Sequence, residues 1–284
     1  MYPFIHIGSL TIGTFGILLW FAAVCAAWAL YANFKRWKLD ADAISIVAIA
    51  TVAGVVGAKL WHVLETPQLL MAHPFAEIFS RAGFAWFGGL ALGIAALLWQ
   101  GRAYGLGKLR MLDLCTVSAT IGYGVGRMGC LISGDGDYGI PTKMPWGIAF
   151  PHGLVPTTGP AGTCAEFGWP SNCRVQPTPI YELIVALLIA WYLWRRGAPE
   201  RPKPLGQLTG EYLVWTGLAR FLVEFIRINP KLYFGMSNAQ VASIGSMIAG
   251  VLLIWWAKSK GLPSEQPLRV ATPVGRGSET DSRH

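Results

Sequence analysis

Residues 17–24 read Ile-Leu-Leu-Trp-Phe-Ala-Ala-Val, without one polar side chain. A stretch with no polar face has nothing to present to water on any side. Seven largely apolar segments recur along the chain, from Leu10 to Ala32, Ile44 to Leu64, Phe84 to Trp99, Met111 to Ile132, Ile180 to Trp194, Tyr212 to Ile226 and Val241 to Ala257. About 20 apolar residues cross the hydrocarbon of a bilayer as a helix. Only 13% of the 284 residues are charged, against about 25% in an ordinary soluble domain, so a water-soluble globule is excluded. Strands of a membrane barrel would alternate apolar and polar residues over about ten positions, and these runs do not alternate. The chain therefore reads as an all-α integral membrane protein of about seven transmembrane helices, each satisfying its backbone amides internally.

The loops alternate in charge. Lys35, Arg36 and Lys38 follow the first segment, Arg102, Lys108 and Arg110 the third, and Arg195, Arg196, Arg201 and Lys203 the fifth; Lys258 and Lys260 follow the last. Excess Lys and Arg mark cytoplasmic loops. The second loop holds only Arg81, the long fourth only Lys143 and Arg174, and the sixth Arg227 and Lys231, so these face outside. An odd number of crossings then puts the N-terminus outside and the C-terminus in the cytoplasm. The formal net charge of +8 reports topology, and nucleic acid is not an expected partner. Residues 1–260 form one transmembrane domain with a periplasmic loop at about 133–179, and 261–284, rich in Gly, Pro, Ser and charge, form a disordered cytoplasmic tail. No removable signal peptide and no inverted repeat of the transporter kind is expected.

Of five cysteines, Cys25, Cys115 and Cys130 lie in apolar segments and behave as small hydrophobes. Cys164 and Cys173 share the outer loop, where an oxidising compartment permits a disulfide. Ionisable groups within spans need a partner, a wet cavity or a function. Arg220, Glu224 and Arg227 stand at i, i+4 and i+7 on one helical face, which reads equally as a structural pair or as the wall of a cavity for a charged substrate. Arg127 sits among Gly122, Gly124, Gly126 and Gly129. A planar guanidinium there suits a phosphate bidentately, and snorkelling to the interface is the plain alternative. Asp135 and Asp137 read as turn residues in a Gly-rich loop. Together these imply a basic pocket near the outer leaflet between the fourth and sixth helices, with an anionic lipid phosphate as guest. No cofactor is expected, and no His, Cys, Asp and Glu set has metal-ligand spacing.

At these residues the chain resembles the prolipoprotein diacylglyceryl transferases, seven-span enzymes of the bacterial inner membrane. The resemblance runs from Met1-Tyr2-Pro3 to Lys258. It rests on Gly57-Ala58-Lys59-Leu60-Trp61-His62-Val63, Gly88-Gly89-Leu90, the signature-like Gly126-Arg127-Met128-Gly129, Gln176-Pro177-Thr178-Pro179-Ile180-Tyr181-Glu182, and Gly217-Leu218-Ala219-Arg220-Phe221-Leu222-Val223-Glu224-Phe225. The order and spacing of these stretches make them specific as a set. The resemblance implies transfer of a diacylglyceryl group from phosphatidylglycerol to the lipobox cysteine thiol behind the signal peptide of an exported prolipoprotein, releasing glycerol phosphate. It also implies that Arg127, with Gly126, Gly129 and Gly134, binds the lipid. Arg220, Glu224 and Asp135 are the expected catalytic groups.

The chain departs from the family at several polar positions. Phe87 precedes Gly88-Gly89 where the family has histidine, Cys130 and Ser133 stand for asparagines, and Asp135 stands for glutamate. Phe15 and Thr216 replace tyrosines. Phenylalanine moves no proton, so transfer in this chain would use Asp135, Glu224 or water. The alternative is an anionic-lipid-binding membrane protein of the same fold that is non-catalytic or acts differently, with a transporter third.

Overall fold

The computed structural model describes residues 2–8, 10–72, 75 and 85–261. Among them are seven long helices: α1 (Thr14–Arg36), α2 (Ala43–Glu65), α3 (Trp86–Ala103), α4 (Lys108–Ser133), α5 (Thr178–Arg196), α6 (Gln207–Val223) and α7 (Asn238–Lys260). By length and composition α1, α2, α5 and α7 can each cross a membrane. Twenty-three residues of α1 extend about 35 Å at 1.5 Å each, enough for the roughly 30 Å of hydrocarbon. α4, α5 and α6 each carry an ionisable residue of the polar centre of the fold. The expected tail from residue 262 onward, and Arg81 in the second loop, lie outside the described residues.

The first apolar run is not helical throughout. Phe4–Ile7 (β1) and Leu10–Gly13 (β2) form an antiparallel hairpin with Ile5 opposite Ile12. Both the amide and the hydroxyl of Thr14 donate to the carbonyl of Pro3, at 3.0 and 3.1 Å, so the helix starts where the hairpin closes. Elsewhere the ends follow local chemistry. Asp42 caps α2 by accepting from the amides of Ile44 and Ser45, and Ser237 with Gln240 forms a reciprocal capping box on α7.

Helices pair mainly as α1 with α4, α4 with α5, α2 with α3 and α6 with α7. Small residues set how close they come, the usual device where lipid supplies no hydrophobic drive between helices. A Cβ on Gly88 would run into the Gly57 carbonyl, and one on Gly210 would lie 2.7 Å from that of Gly250. Large apolar side chains such as Trp20, Trp28, Leu64, Trp191 and Trp255 point outward. That is the inverse of a soluble fold, and it is what a lipid-facing surface requires.

The chain between α4 and α5 has its own small core. Pro141–Thr142 (β3) pairs with Arg174–Val175 (β4), Cys164 is joined to Cys173, and Tyr138 stacks on Phe150 with ring centroids 5.0 Å apart. Leu131 and Val175 complete that cluster. The loop is thus anchored to the end of α4, which matters for the residues it carries inward.

Candidate functional site

α4, α5 and α6 each bring an ionisable group to one place. Tyr123 and Arg127 come from the last turns of α4, Glu182 from the first turns of α5, and Arg220 from the end of α6. α6 then tightens into a single 3-10 turn, Glu224–Ile226, which still keeps Arg220, Glu224 and Arg227 adjacent. Glu182 is the hub. Its carboxylate lies 3.2 Å from Arg127 Nε, 3.0 Å from Arg220 Nη1 and 3.5 Å from Arg227 Nη1, and it accepts the Tyr123 hydroxyl at 2.7 Å. Glu224 sits 3.0 Å from Arg220 Nη2 and 3.5 Å from Arg227 Nε, and accepts from Asn229 Nδ2 and Ser237 Oγ at 2.6 and 2.8 Å. The Asp137 carboxylate accepts from both Arg127 and Arg227.

Asp137 reaches the cluster because the loop is zipped to two helix ends. Gly139 N donates to Gln176 O and Ile140 N to Ile226 O, both at 2.8 Å, and Thr178 Oγ1 donates to the Asp137 carbonyl at 2.6 Å. Gly139 has to be glycine, since a Cβ there would overlap the Ile226 carbonyl. These bonds tie the start of α5, the end of α6 and the loop into one rigid mouth.

Burial divides the cluster into two layers. The side chains of Arg227, Glu182 and Glu224 are 2%, 4% and 1% exposed, whereas those of Arg127, Arg220 and Asp137 are 17%, 22% and 30% exposed. Three arginines face three carboxylates, so the pocket expected to be basic is formally neutral. Every sequence stretch had shown only part of it: the arginines were visible as charges in spans, but their counter-ions come from elsewhere in the chain. Arg127 and Arg220 are the more open of the three guanidiniums, and Asp137 already pairs with Arg127.

Arg127 and Arg220 meet on Glu182, and Glu224 pairs with Arg220. Asp135 lies one step back: its Oδ1 accepts the Asp137 amide at 3.2 Å, and it forms no ion pair with arginine among the described residues. Burial, and then the charge of Asp137, push the Asp135 carboxyl above the ordinary carboxylate range. Burial also pushes on Asp137, but the Arg227 and Arg127 guanidiniums outweigh it and hold that carboxyl below the ordinary range. Two aspartates two residues apart are therefore driven in opposite directions. Cys130, Asp135 and Asp137 can bring ligand atoms within 4.8 Å of one another, yet Arg127 and Arg227 already hold Asp137, which leaves this trio poorly suited to a cation.

The glycines expected around the headgroup have other neighbours. A Cβ on Gly129 would stand 3.2 Å from the Phe15 ring and one on Gly126 4.0 Å from Ala22, so both lie against α1. Gly134 ends α4 in the left-handed region, at φ 59°, with its back against Gly153. Phe87 is 56% exposed on a helix that packs chiefly on α2. The sequence alone did not show Glu182, Asp137 and Tyr123 as site groups; Arg227, read both on one face with Arg220 and Glu224 and as a charge of the sixth loop, joins the cluster from just past the 3-10 turn. The signals present were the Gln176–Glu182 stretch, which ends on the hub carboxylate, and the i, i+7 spacing of Arg220 and Arg227.

The chain matches the family model described as prolipoprotein diacylglyceryl transferase over residues 3–256. Among curated proteins it is similar to the phosphatidylglycerol–prolipoprotein diacylglyceryl transferase of Nitrosomonas europaea, 32% identical over 234 residues that cover 79% of this chain and 75% of the relative. The protein of that name from Aliivibrio fischeri is 29% identical, with 93% of this chain and 92% of the relative covered. That from Leptospira interrogans is also 29% identical, with 78% and 73% covered.

Proposed function

The chain belongs to the prolipoprotein diacylglyceryl transferase family, and from that premise we propose how its residues carry out the transfer. The reaction moves diacylglyceryl from phosphatidylglycerol to the thiol of a lipobox cysteine in an exported prolipoprotein. The substrate cysteine attacks as thiolate, an S–C bond forms at the glyceryl carbon, and the C–O bond to phosphate breaks with its electron pair leaving on oxygen. A phosphodiester with one negative charge becomes a monoester carrying about 1.5 to 2. Negative charge therefore grows on phosphate in the transition state.

The observation that carries this reading is the pair of half-open guanidiniums, Arg127 and Arg220, pinned on the single carboxylate of Glu182 at 3.2 and 3.0 Å. Fixed donors aimed where charge develops stabilise a transition state without reorganising. Arg127 binds the lipid phosphate and Arg220 takes the developing charge on the leaving glycerol phosphate, with Glu224 orienting Arg220. Asp137 is the carboxylate that yields its place, since its side chain is the most exposed of the three. Asp135, whose carboxylate is a stronger base than usual because burial and the Asp137 charge raise it, is the acceptor of the thiol proton where Phe87 cannot serve.

The same reading places seven spans in the bacterial inner membrane, with the N-terminus outside and the C-terminus in the cytoplasm. Basic residues at the ends of α1, α5 and α7 and at the start of α4 support it: helices that alternate in direction gather them on one side, opposite the cluster at the end of α4. The test is a transfer assay with purified full-length protein, labelled phosphatidylglycerol and a lipobox peptide. Thioether-linked diacylglycerol is expected from the wild type and none from Arg127→Ala, which still inserts. Lipid binding without product in the wild type would refute catalysis, and full activity in the variant would refute the phosphate anchor.

A further inference from the structure

Glu224 divides its two oxygens between two kinds of partner. Oε2 faces the guanidiniums, 3.0 Å from Arg220 Nη2 and 3.5 Å from Arg227 Nε. Oε1 accepts from two neutral donors, Asn229 Nδ2 at 2.6 Å and Ser237 Oγ at 2.8 Å. The Ser237 hydroxyl has one proton and an ionised carboxylate can only accept, so that proton lies on Glu224. The same hydroxyl oxygen accepts the Gln240 amide that opens α7, at 3.3 Å. One serine thus caps α7 and reaches back to the end of α6.

Both donors belong to the segment that joins α6 to α7. It leaves the 3-10 turn at Arg227 and folds back on itself: Leu232 N and Tyr233 N donate to the Met236 carbonyl at 3.0 Å each, and Met236 N to that of Tyr233 at 2.7 Å. At its tip Phe234 and Gly235 take positive φ, 48° and 78°, and Phe234 is fully exposed. The two stems, Asn229 and Ser237, converge on a single oxygen.

The last torsion of a glutamate side chain is broad and two-fold. With guanidiniums alone as partners, this carboxylate would be free to turn between Arg220 and Arg227. Two donors anchored in a folded segment hold Oε1 and so set the torsion, which leaves Oε2 on Arg220. Glu182 holds the other terminal nitrogen of Arg220, Nη1, at 3.0 Å, so the guanidinium is gripped at both ends. A buried ion pair needs further hydrogen bonds on its remaining lone pairs. Neutral donors supply them without a further cation to compete with Arg220.

We infer that Asn229 and Ser237 are positioning residues of the transfer: by fixing Glu224 Oε1 they hold Oε2, and through it the Arg220 guanidinium, where charge develops on the leaving phosphate. The inference rests on the role proposed above for Arg220. Both residues act through Glu224, so their loss should appear in kcat and not in KM for lipid.

Steady-state transfer by purified full-length protein, with labelled phosphatidylglycerol and a lipobox peptide, tests this beside melting temperatures. Asn229→Ala removes one donor. Ser237→Gly removes the other and leaves a residue that caps helices nearly as well. Each is expected to lower kcat about tenfold or more, the worth of one hydrogen bond to a charged group, with KM unchanged. Ser237→Thr keeps both hydroxyl and cap and should restore kcat. Wild-type kcat in Asn229→Ala and Ser237→Gly, with Glu224→Gln severely impaired, would overturn the inference and leave the transfer reading in place. A raised KM at unchanged kcat would overturn it by assigning the pair to lipid binding, and equal losses of kcat and melting temperature in Ser237→Gly and Ser237→Thr would reduce Ser237 to a structural cap. A wild type that makes no thioether product would refute the transfer reading itself, and the inference with it.

Discussion

Glu182→Gln removes one charge from the hub while keeping its shape and its bond from the Tyr123 hydroxyl. In the wild type this side chain is 4% exposed and faces three arginines at 3.0 to 3.5 Å. Breaking a buried pair by removing one partner costs about 3–5 kcal/mol, since the charge left behind cannot be rehydrated. At roughly 2 °C per kcal/mol for a chain of this size, the variant should melt about 6 °C or more below the wild type in neutral detergent. Its cluster then carries three arginines against two carboxylates. A lipid phosphate supplies the missing charge, so phosphatidylglycerol should stabilise the variant more than the wild type, in which phosphate competes with Asp137. Ligand at 100 times its Kd contributes about 2.7 kcal/mol, enough to close most of the gap. Activity should fall about 100-fold at saturating lipid even so, because Arg127 and Arg220 lose the carboxylate that aims them, and small misplacements cost rates of that order. Melting curves with and without lipid, beside initial rates, provide the readout. Equal melting temperatures and equal lipid responses in the two proteins would show that Glu182 does not hold the arginines.

Glu224→Gln should reduce transfer severely, with KM for lipid little changed, if Glu224 acts through Arg220; equal kcat with raised KM would assign it to binding. Asp137 has its carboxyl held low, so the stability it contributes is present above the unfolded carboxylate value of about 3.9 and lost as pH falls through its folded value. Asp137→Asn should therefore flatten the acid limb of a melting-temperature profile, and an unchanged limb would contradict the Arg127–Asp137–Arg227 bridge. Asp135 works in the opposite sense, since a raised carboxyl costs stability as pH rises through its folded value, and Asp135→Asn should gain stability near neutral pH while losing transfer. Intact-mass measurement without reductant should find Cys164 linked to Cys173, and Cys164→Ser should loosen the loop to proteolysis while leaving the helices inserted. Two free thiols in the wild type would remove that staple.

The sequence by itself determined that the chain is a set of apolar helices, because lipid obliges each spanning segment to satisfy its own backbone, and that requirement is written in residues a few positions apart. It also singled out Arg127, Arg220 and Glu224, since a charge inside an apolar run is conspicuous without knowing what it touches. Local signals misled at the N-terminus, where residues 10–13 are as apolar as a helix but pair with Phe4–Ile7 across a turn. Tertiary structure alone decided what neutralises the arginines. Glu182 lies 38 residues from Arg220, and Asp137 lies 90 from Arg227, and nothing in either neighbourhood specifies that the loop after α4 is pinned to Gln176 and Ile226. Electrostatic balance inside a membrane is a sum over groups that converge in space, and a sum of that kind has no period along the chain.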